Sequence, residues 1–158
     1  MSQLWTIAEQ QQIKPIENSR LFPQLQLEVE MNDVQKYLGR DFYQELKRNT
    51  SAYATLLNGG TYVKDGVNYT FNGLKHFFSY LLFARYVRQS YINDTQSGMV
   101  QHTGEGFSGL SSAELKNQEE RYHNIAGAIW DECKDYLCTL NLPYFPDREK
   151  TTYKWDIL

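Results

Sequence analysis

The chain has 158 residues, with 16 Lys and Arg against 19 Asp and Glu, a formal net charge of −3. That balance argues against a protein whose main task is gripping phosphates, since such domains carry a clear basic excess. Charged residues are only 22% while aromatics reach 15%, and 12 Tyr, 12 Gln and 10 Asn are present, so the polar surface is built largely of phenols and amides, a composition suited to contact surfaces.

At this length one domain buries roughly 70% of its unfolded surface and needs no disulfide or metal staple. The longest apolar run, Leu81-Leu82-Phe83-Ala84, is far short of the roughly 20 residues of a bilayer span. The opening Met1-Ser2-Gln3-Leu4-Trp5-Thr6 has neither the basic start nor the apolar stretch of a signal peptide. Cys133 and Cys138 lie five apart in a predicted helix and so point to separated sides; both are expected as free, small apolar fillers. These features predict a soluble cytosolic domain that does not engage a membrane.

Residues 1–20 read as a lead-in. Thr6 with Glu9 matches a capping box for a short helix that Pro15 limits. Ser19 offers a second N-cap, and Pro23 is tolerated only in a first helical turn. Leu25, Val29, Val34 and Leu38 then keep helical spacing up to Gly39; Leu25, Leu27 and Val29 also alternate as in a strand, but the helical pattern runs further. Asp41 is the expected cap of a helix to Arg48, and Thr50 or Ser51 of another that ends at Gly59-Gly60.

The clearest β signal is Asp65-Gly66 between Thr61-Tyr62-Val63-Lys64 and Val67-Asn68-Tyr69-Thr70-Phe71. Both turn residues must accept positive φ, which predicts a type I′ hairpin over residues 61–71. An isolated hairpin is marginal in water, so it must pack on helices or on another chain. Residues 73–92 predict a helix with Leu74, Phe77, Phe78, Leu81 and Leu82 on one face, while Tyr80, Phe83, Tyr86, Val87 and Tyr91 cover much of the rest. Such a helix is either central or partly covered by a partner.

Residues 93–110, with four glycines and little periodicity, read as a long loop of a length that is usually functional or disordered. Ser111 and Glu114 make a second capping box, opening a helix to about Leu140 that would be roughly 45 Å long. Its expected apolar stripe is Leu115, Tyr122, Ile125, Ala126, Ile129, Cys133, Tyr136, Leu137 and Leu140. Residues 142–158 form an extended C-terminal arm that mixes prolines with aromatics, unlike a disordered tail. The reading is a mostly α chain: a small helical bundle over 21–141 with two long helices, one β-hairpin, a long Gly-rich loop and that arm.

Catalytic chemistry is thin. Glu120 and His123 show the i, i+3 spacing of di-metal bundles but lack the second helix that such a site needs, so a solvated helix face is expected. Gly104-Glu105-Gly106-Phe107-Ser108-Gly109 fits a dinucleotide fingerprint in spacing alone, with no buried strand before it. No zinc spacing, P-loop or nucleophile context stands out, so no enzyme, cofactor or metal is expected. Arg85 and Arg88 could bind phosphate, though pairing with a carboxylate or snorkelling is the commoner fate of such residues.

The order of local motifs carries more. Asp33-Val34-Gln35-Lys36-Tyr37-Leu38-Gly39 is followed by Phe42-Tyr43-Gln44-Glu45-Leu46 and by Leu56-Leu57-Asn58-Gly59-Gly60-Thr61-Tyr62. The Asp-Gly hairpin, Gly73-Leu74-Lys75, Ala84-Arg85-Tyr86, then Thr95, Gly98, Val100, Tyr122 and Tyr136-Leu137 complete the series. Over roughly residues 20–145 the chain resembles head-to-tail connector proteins, adaptor or ring proteins of tailed bacteriophages and prophages of gut Bacteroidetes, including crAss-like phages.

That resemblance implies a structural virion subunit, assembled in the host bacterial cytoplasm into a homo-oligomeric ring, dodecameric like the portal protein beneath which it stacks. The ring would extend the DNA channel, pass DNA without specific binding and dock the next ring or tail protein. The resemblance gives portal contact to the C-terminal arm, here Tyr144, Phe145, Tyr153 and Trp155. We assign neighbouring-subunit contact to Tyr62 and Tyr69 in the hairpin and to Met99, Val100 and Phe107 in the loop. The N-terminal Gln-rich segment has no counterpart in such proteins. The alternative is a small helical nucleic-acid-binding regulatory protein that uses Arg85, Arg88 and basic residues of the arm.

Overall fold

A computed structural model describes residues 4–89, 92–95, 98–101, 111–140 and 142, and it is mostly helical. Helix α1 (Ile7–Ile13) opens on the expected capping box: the Thr6 hydroxyl accepts from the Glu9 amide, and the Glu9 carboxylate accepts from the Thr6 amide at 2.7 Å. A 3₁₀ turn (Ser19–Leu21) leads into α2 (Phe22–Val29), which has Pro23 in its first turn. Asn18, rather than Ser19, caps the turn; its side chain accepts from the Arg20 amide at 3.3 Å. The helix then widens into a π-helical turn (Glu30–Val34) and continues as α3 (Gln35–Leu38). The helical alternative for this stretch is therefore the one adopted.

Gly39, at φ 75°, breaks the chain and occupies the N-cap of α4 (Arg40–Arg48). Asp41 consequently sits in the first turn, where its charge suits the helix dipole, and does not cap the helix. Similarly, Thr50 and Ser51 fall in a turn, and α5 (Ala54–Asn58) starts from Tyr53 with no side-chain cap. The hairpin has the expected turn. Strands β1 (Gly60–Lys64) and β2 (Val67–Phe71) pair antiparallel, with Tyr62 opposite Tyr69 and Lys64 opposite Val67. Asp65 and Gly66 take φ 53° and 78°, the type I′ signs.

Helix α6 (Leu74–Gln89) is the central helix. Leu74, Phe77, Phe78, Leu81, Leu82 and Ala84 are buried, packed by α1, α2 and α5 and, along most of the helix, by α7 (Ser112–Thr139). Burial on several sides by the chain's own helices accounts for its nearly all-round apolar surface. The helix stops short of the expected residue 92. Ile92 instead opens β3 (Ile92–Thr95), which pairs antiparallel with β4 (Gly98–Gln101). The first part of the segment expected as a loop is thus a second short hairpin, and residues 102–110 lie outside the described residues.

Ser111 and Glu114 form the capping box of α7, which runs for 28 residues. Only its second half is buried, through Ala126, Ile129, Trp130, Cys133 and Leu137. Trp130 joins the stripe because α3 offers it Tyr37 and α6 offers it Phe77, whereas Leu140 is exposed. The segment read as a lead-in contributes Leu4, Trp5 and Ile16 to the core. Trp5 lies edge-on to Phe22 and against Phe78, its indole N–H donates to Gln10, and its carbonyl accepts from Gln26. Buried Gln10 also donates to the carbonyls of Lys14 and Ser79. These bonds satisfy amides that would otherwise be costly to bury.

Candidate docking surface

The hairpin is held against the second half of α7 by an aromatic cluster. Phe71 and Tyr136 stack with centroids 4.5 Å apart, and Tyr62 lies 5.5 Å from Tyr136 and 5.9 Å from Phe71. Tyr62 also stacks on its cross-strand neighbour Tyr69 at 5.5 Å, the kind of directly opposed pair that stabilises a ribbon. Polar contacts flank the cluster: Asn72 donates to Glu132 at 3.1 Å, and Lys64 pairs with Asp135 at 3.4 Å. Burial, and then the Asp135 carboxylate, push the Tyr62 phenol above its usual pKa, so it remains a neutral contact group.

Away from this seam the hairpin faces solvent. Val63, Val67 and Tyr69 are 63%, 52% and 44% exposed, and Thr61, Asn68 and Thr70 are exposed with them. By the strand register Val63 shares the outer face with Thr61, Asn68 and Thr70, whereas Val67 and Tyr69 share the anchored face with Tyr62 and Phe71 and stay exposed toward the turn end. Two glycines fix the base of the hairpin. Gly59 (φ +84°) and Gly73 (φ +84°) bring the start and end of the hairpin together so closely that a Cβ on Gly73 would collide with the backbone nitrogen of Gly59.

Of the residues assigned to subunit contact, Tyr62 and Tyr69 come together here, the first half-buried and the second open. Met99 and Val100 lie on β4, opposite Asp94 and Asn93. Phe107, Tyr144, Phe145, Tyr153 and Trp155 lie outside the described residues. Tyr136 reads from sequence as stripe, yet it carries the hairpin; the β-prone run predicted to need a packing surface was the signal for this. A second exposed apolar pair, Leu27 and Met31 at 59% and 61%, lies one helical turn apart. Both sit two residues on from Leu25 and Val29, about 200° around the helix, and so off the buried stripe.

Elsewhere the polar groups are engaged in holding the fold. Arg85 donates to both Asp33 oxygens, at 2.7 and 3.1 Å, a bidentate pair that raises its pKa further. The carboxylate-bound fate expected for Arg85 is the one observed, and the guanidinium is not free for phosphate. Arg88 is open, 3.9 Å from Glu119. On the other side of the π-turn, Glu30 accepts from Tyr43 at 2.5 Å and from Lys47 at 3.0 Å. Burial, with the Glu30 hydrogen bond, pushes the Tyr43 phenol up to about 12. The π-turn is thus tied by one carboxylate to α4 and by the other to α6.

Both cysteines are free; burial pushes the Cys133 thiol up to about 12, which leaves it a packing group. On α7, Glu120 lies 3.9 Å from Lys116, and His123 lies 4.0 Å from Glu119. An open groove along that helix is lined by Asn117, Glu120, Arg121, Asn124, Ile125 and Ala128. No group of three His, Cys, Asp or Glu placed to hold a metal occurs among the described residues. No described helix is long and apolar enough to cross a membrane.

Residues 34–154 match the model of a family described as a family of unknown function, DUF6712. No curated protein and no solved structure matches the chain. The family match starts inside the π-turn, so α1, α2 and the Trp5 anchor precede it although they share its core.

Proposed function

We propose that this chain, which belongs to the DUF6712 family, is a non-enzymatic structural subunit of a tailed phage or prophage virion. In this reading it is a head-to-tail connector protein that assembles with its own copies into a dodecameric ring beneath the portal. The ring extends the DNA channel and docks the next ring or tail component. The order of motifs over residues 20–145 supports the reading, and the single structural observation that carries it is the hairpin. It is anchored at its base through Tyr62, Phe71 and Tyr136, while Val67 and Tyr69 on the same face and Val63 on the opposite face remain exposed. An anchored element that still exposes aromatic and β-branched side chains suits a contact between copies.

Ring contacts are heterologous, and closure fixes copy number. Many modest contacts repeated around a ring give firm attachment through effective concentration. A net charge of −3 suits a channel that lets DNA slide, because few cations mean few phosphate contacts. The regulator reading draws less support, since Arg85 is committed to Asp33. Native mass measurement and negative-stain imaging of the chain mixed with the portal protein test the proposal: rings on portal are expected, and unbound monomers alone would overturn it.

A further inference from the structure

The hairpin offers main-chain groups as well as side chains. Lys64 and Val67 face each other across the two-residue Asp65-Gly66 turn, which makes them a hydrogen-bonded pair. By the alternation of an antiparallel ladder, Tyr62–Tyr69 and Gly60–Phe71 are hydrogen-bonded pairs too. The N–H and C=O groups of Thr61 and Val63 on β1, and of Asn68 and Thr70 on β2, therefore point away from the partner strand, along the two edges of the ribbon. All four residues are exposed. Among the described residues no hydrogen bond reaches them from outside the ribbon.

Edges of this kind are usually blunted by lysines, prolines or bulges. Here the register runs unbroken over five residue pairs. Neither strand has a proline, and the one charge is Lys64, which pairs with Asp135 on α7. Strand β2 is uncharged, and Val67, Asn68, Tyr69 and Thr70 are exposed in succession along it. Identical ribbons can therefore meet edge to edge with no like charges opposed.

We infer that each edge is covered by the hairpin of a neighbouring copy, an inference that rests on the connector reading: the outer edge of β2 pairs with the outer edge of β1 in the next subunit. Because β1 and β2 are antiparallel, rotation about an axis along the ribbon sets β2 antiparallel to the next copy's β1. A closed ring repeats this heterologous contact and leaves no edge open, as closure does in a barrel. A foreign strand would cover one edge and leave the other, and a twofold pairing of β2 with itself would leave β1 bare. Matching faces then adjoin. Asn68 and Thr70 lie beside Thr61 and Val63 of the next copy, and Val67 and Tyr69 lie beside its Tyr62.

Residue-resolved hydrogen exchange of the full chain, free and assembled on a tailed-phage portal protein, tests this. The Tyr62 and Tyr69 amides belong to the hairpin's own ladder and are expected to be protected in both states. The Thr61, Val63, Asn68 and Thr70 amides are expected to slow at least about a hundredfold in rings. Rings in which these four amides exchange as in the free chain overturn the inference and leave the connector reading standing. Chains that form no ring overturn both. Slowing in chains that bind the portal singly gives the edge to the portal and overturns the inference as well.

A pair of variants is the second measurement. Asn68→Pro removes one outward N–H and no donor of the hairpin's own ladder, a position where an edge strand accepts proline. Asn68→Val keeps that N–H. Closed rings are expected from Asn68→Val and not from Asn68→Pro, with Tyr69 still protected in both free variants. Rings formed equally well by the two variants contradict the inference.

Discussion

Phe71 and Tyr136 stack at 4.5 Å with ring planes 22° apart, and through this pair the hairpin becomes part of the fold. Phe71 is buried and Tyr136 half-buried, so the tyrosine ring is both a lid over Phe71 and a floor for Tyr62. Tyr136→Ala is expected to cost about 1–3 kcal/mol, from lost ring contacts and apolar burial. Tyr136→Phe keeps the stack and should be close to neutral. Urea midpoints read the difference, and exchange of β1 and β2 amides should rise in the alanine variant alone.

Two glycines with similar φ should respond very differently to alanine. At Gly66 (φ +78°) a Cβ meets open space, so the cost is only that of a left-handed residue, about 1 kcal/mol. At Gly73 (φ +84°) a Cβ collides with the backbone of Asn58 and Gly59, where no side chain can swing away. Gly73→Ala should exceed about 3 kcal/mol or prevent folding, since strain and steric displacement add. Thermal unfolding of the two variants checks the order.

The residues before the family match are predicted to be indispensable. Trp5 is fully buried against Phe22 and Phe78, and Trp5→Ala is expected to cost about 3–5 kcal/mol. A chain that tolerated this change with an unaltered urea midpoint would show that the anchor is dispensable.

Stability should also depend on acid through Glu9. Burial opposes its ionisation, but the Lys75 ammonium at 2.5 Å and the Thr6 hydrogen bonds outweigh burial and hold its pKa below 4.5. A depressed carboxylate contributes stability that is present above its unfolded value and lost as pH falls through the folded one. Glu9→Gln should lower the urea midpoint near neutral pH and flatten its decline below about pH 4.5. Parallel acid profiles for both chains would contradict this.

The legible parts of the fold were those set by neighbours in sequence. Thr6 with Glu9 and Ser111 with Glu114 are reciprocal caps within one turn, and Asp65-Gly66 dictates its own turn. The ends of α4 and α5 were less legible: Gly39 supplies the break itself, so Asp41 has no cap to make. Strands β3 and β4 contain Asn, Asp and Gly, which disfavour strands intrinsically. Trp130 and Trp5 are buried by distant partners, Tyr37 and Phe77 for one, Phe22 and Phe78 for the other. No local pattern encodes such pairings. On the candidate surface the hairpin and its aromatics were readable, whereas Tyr136 as their anchor was a tertiary fact.

The most direct measurement of the proposed connector role mixes the pure chain with a tailed-phage portal protein, and a Val63→Asp/Val67→Asp variant in parallel, for native mass spectrometry and negative-stain imaging. Both substituted side chains are mostly exposed, so the variant should keep the circular dichroism of the parent. The account predicts closed rings of the parent on the portal and none of the variant. Parent chains that stay monomeric and unbound beside intact portals would contradict it, as would rings formed equally well by the variant.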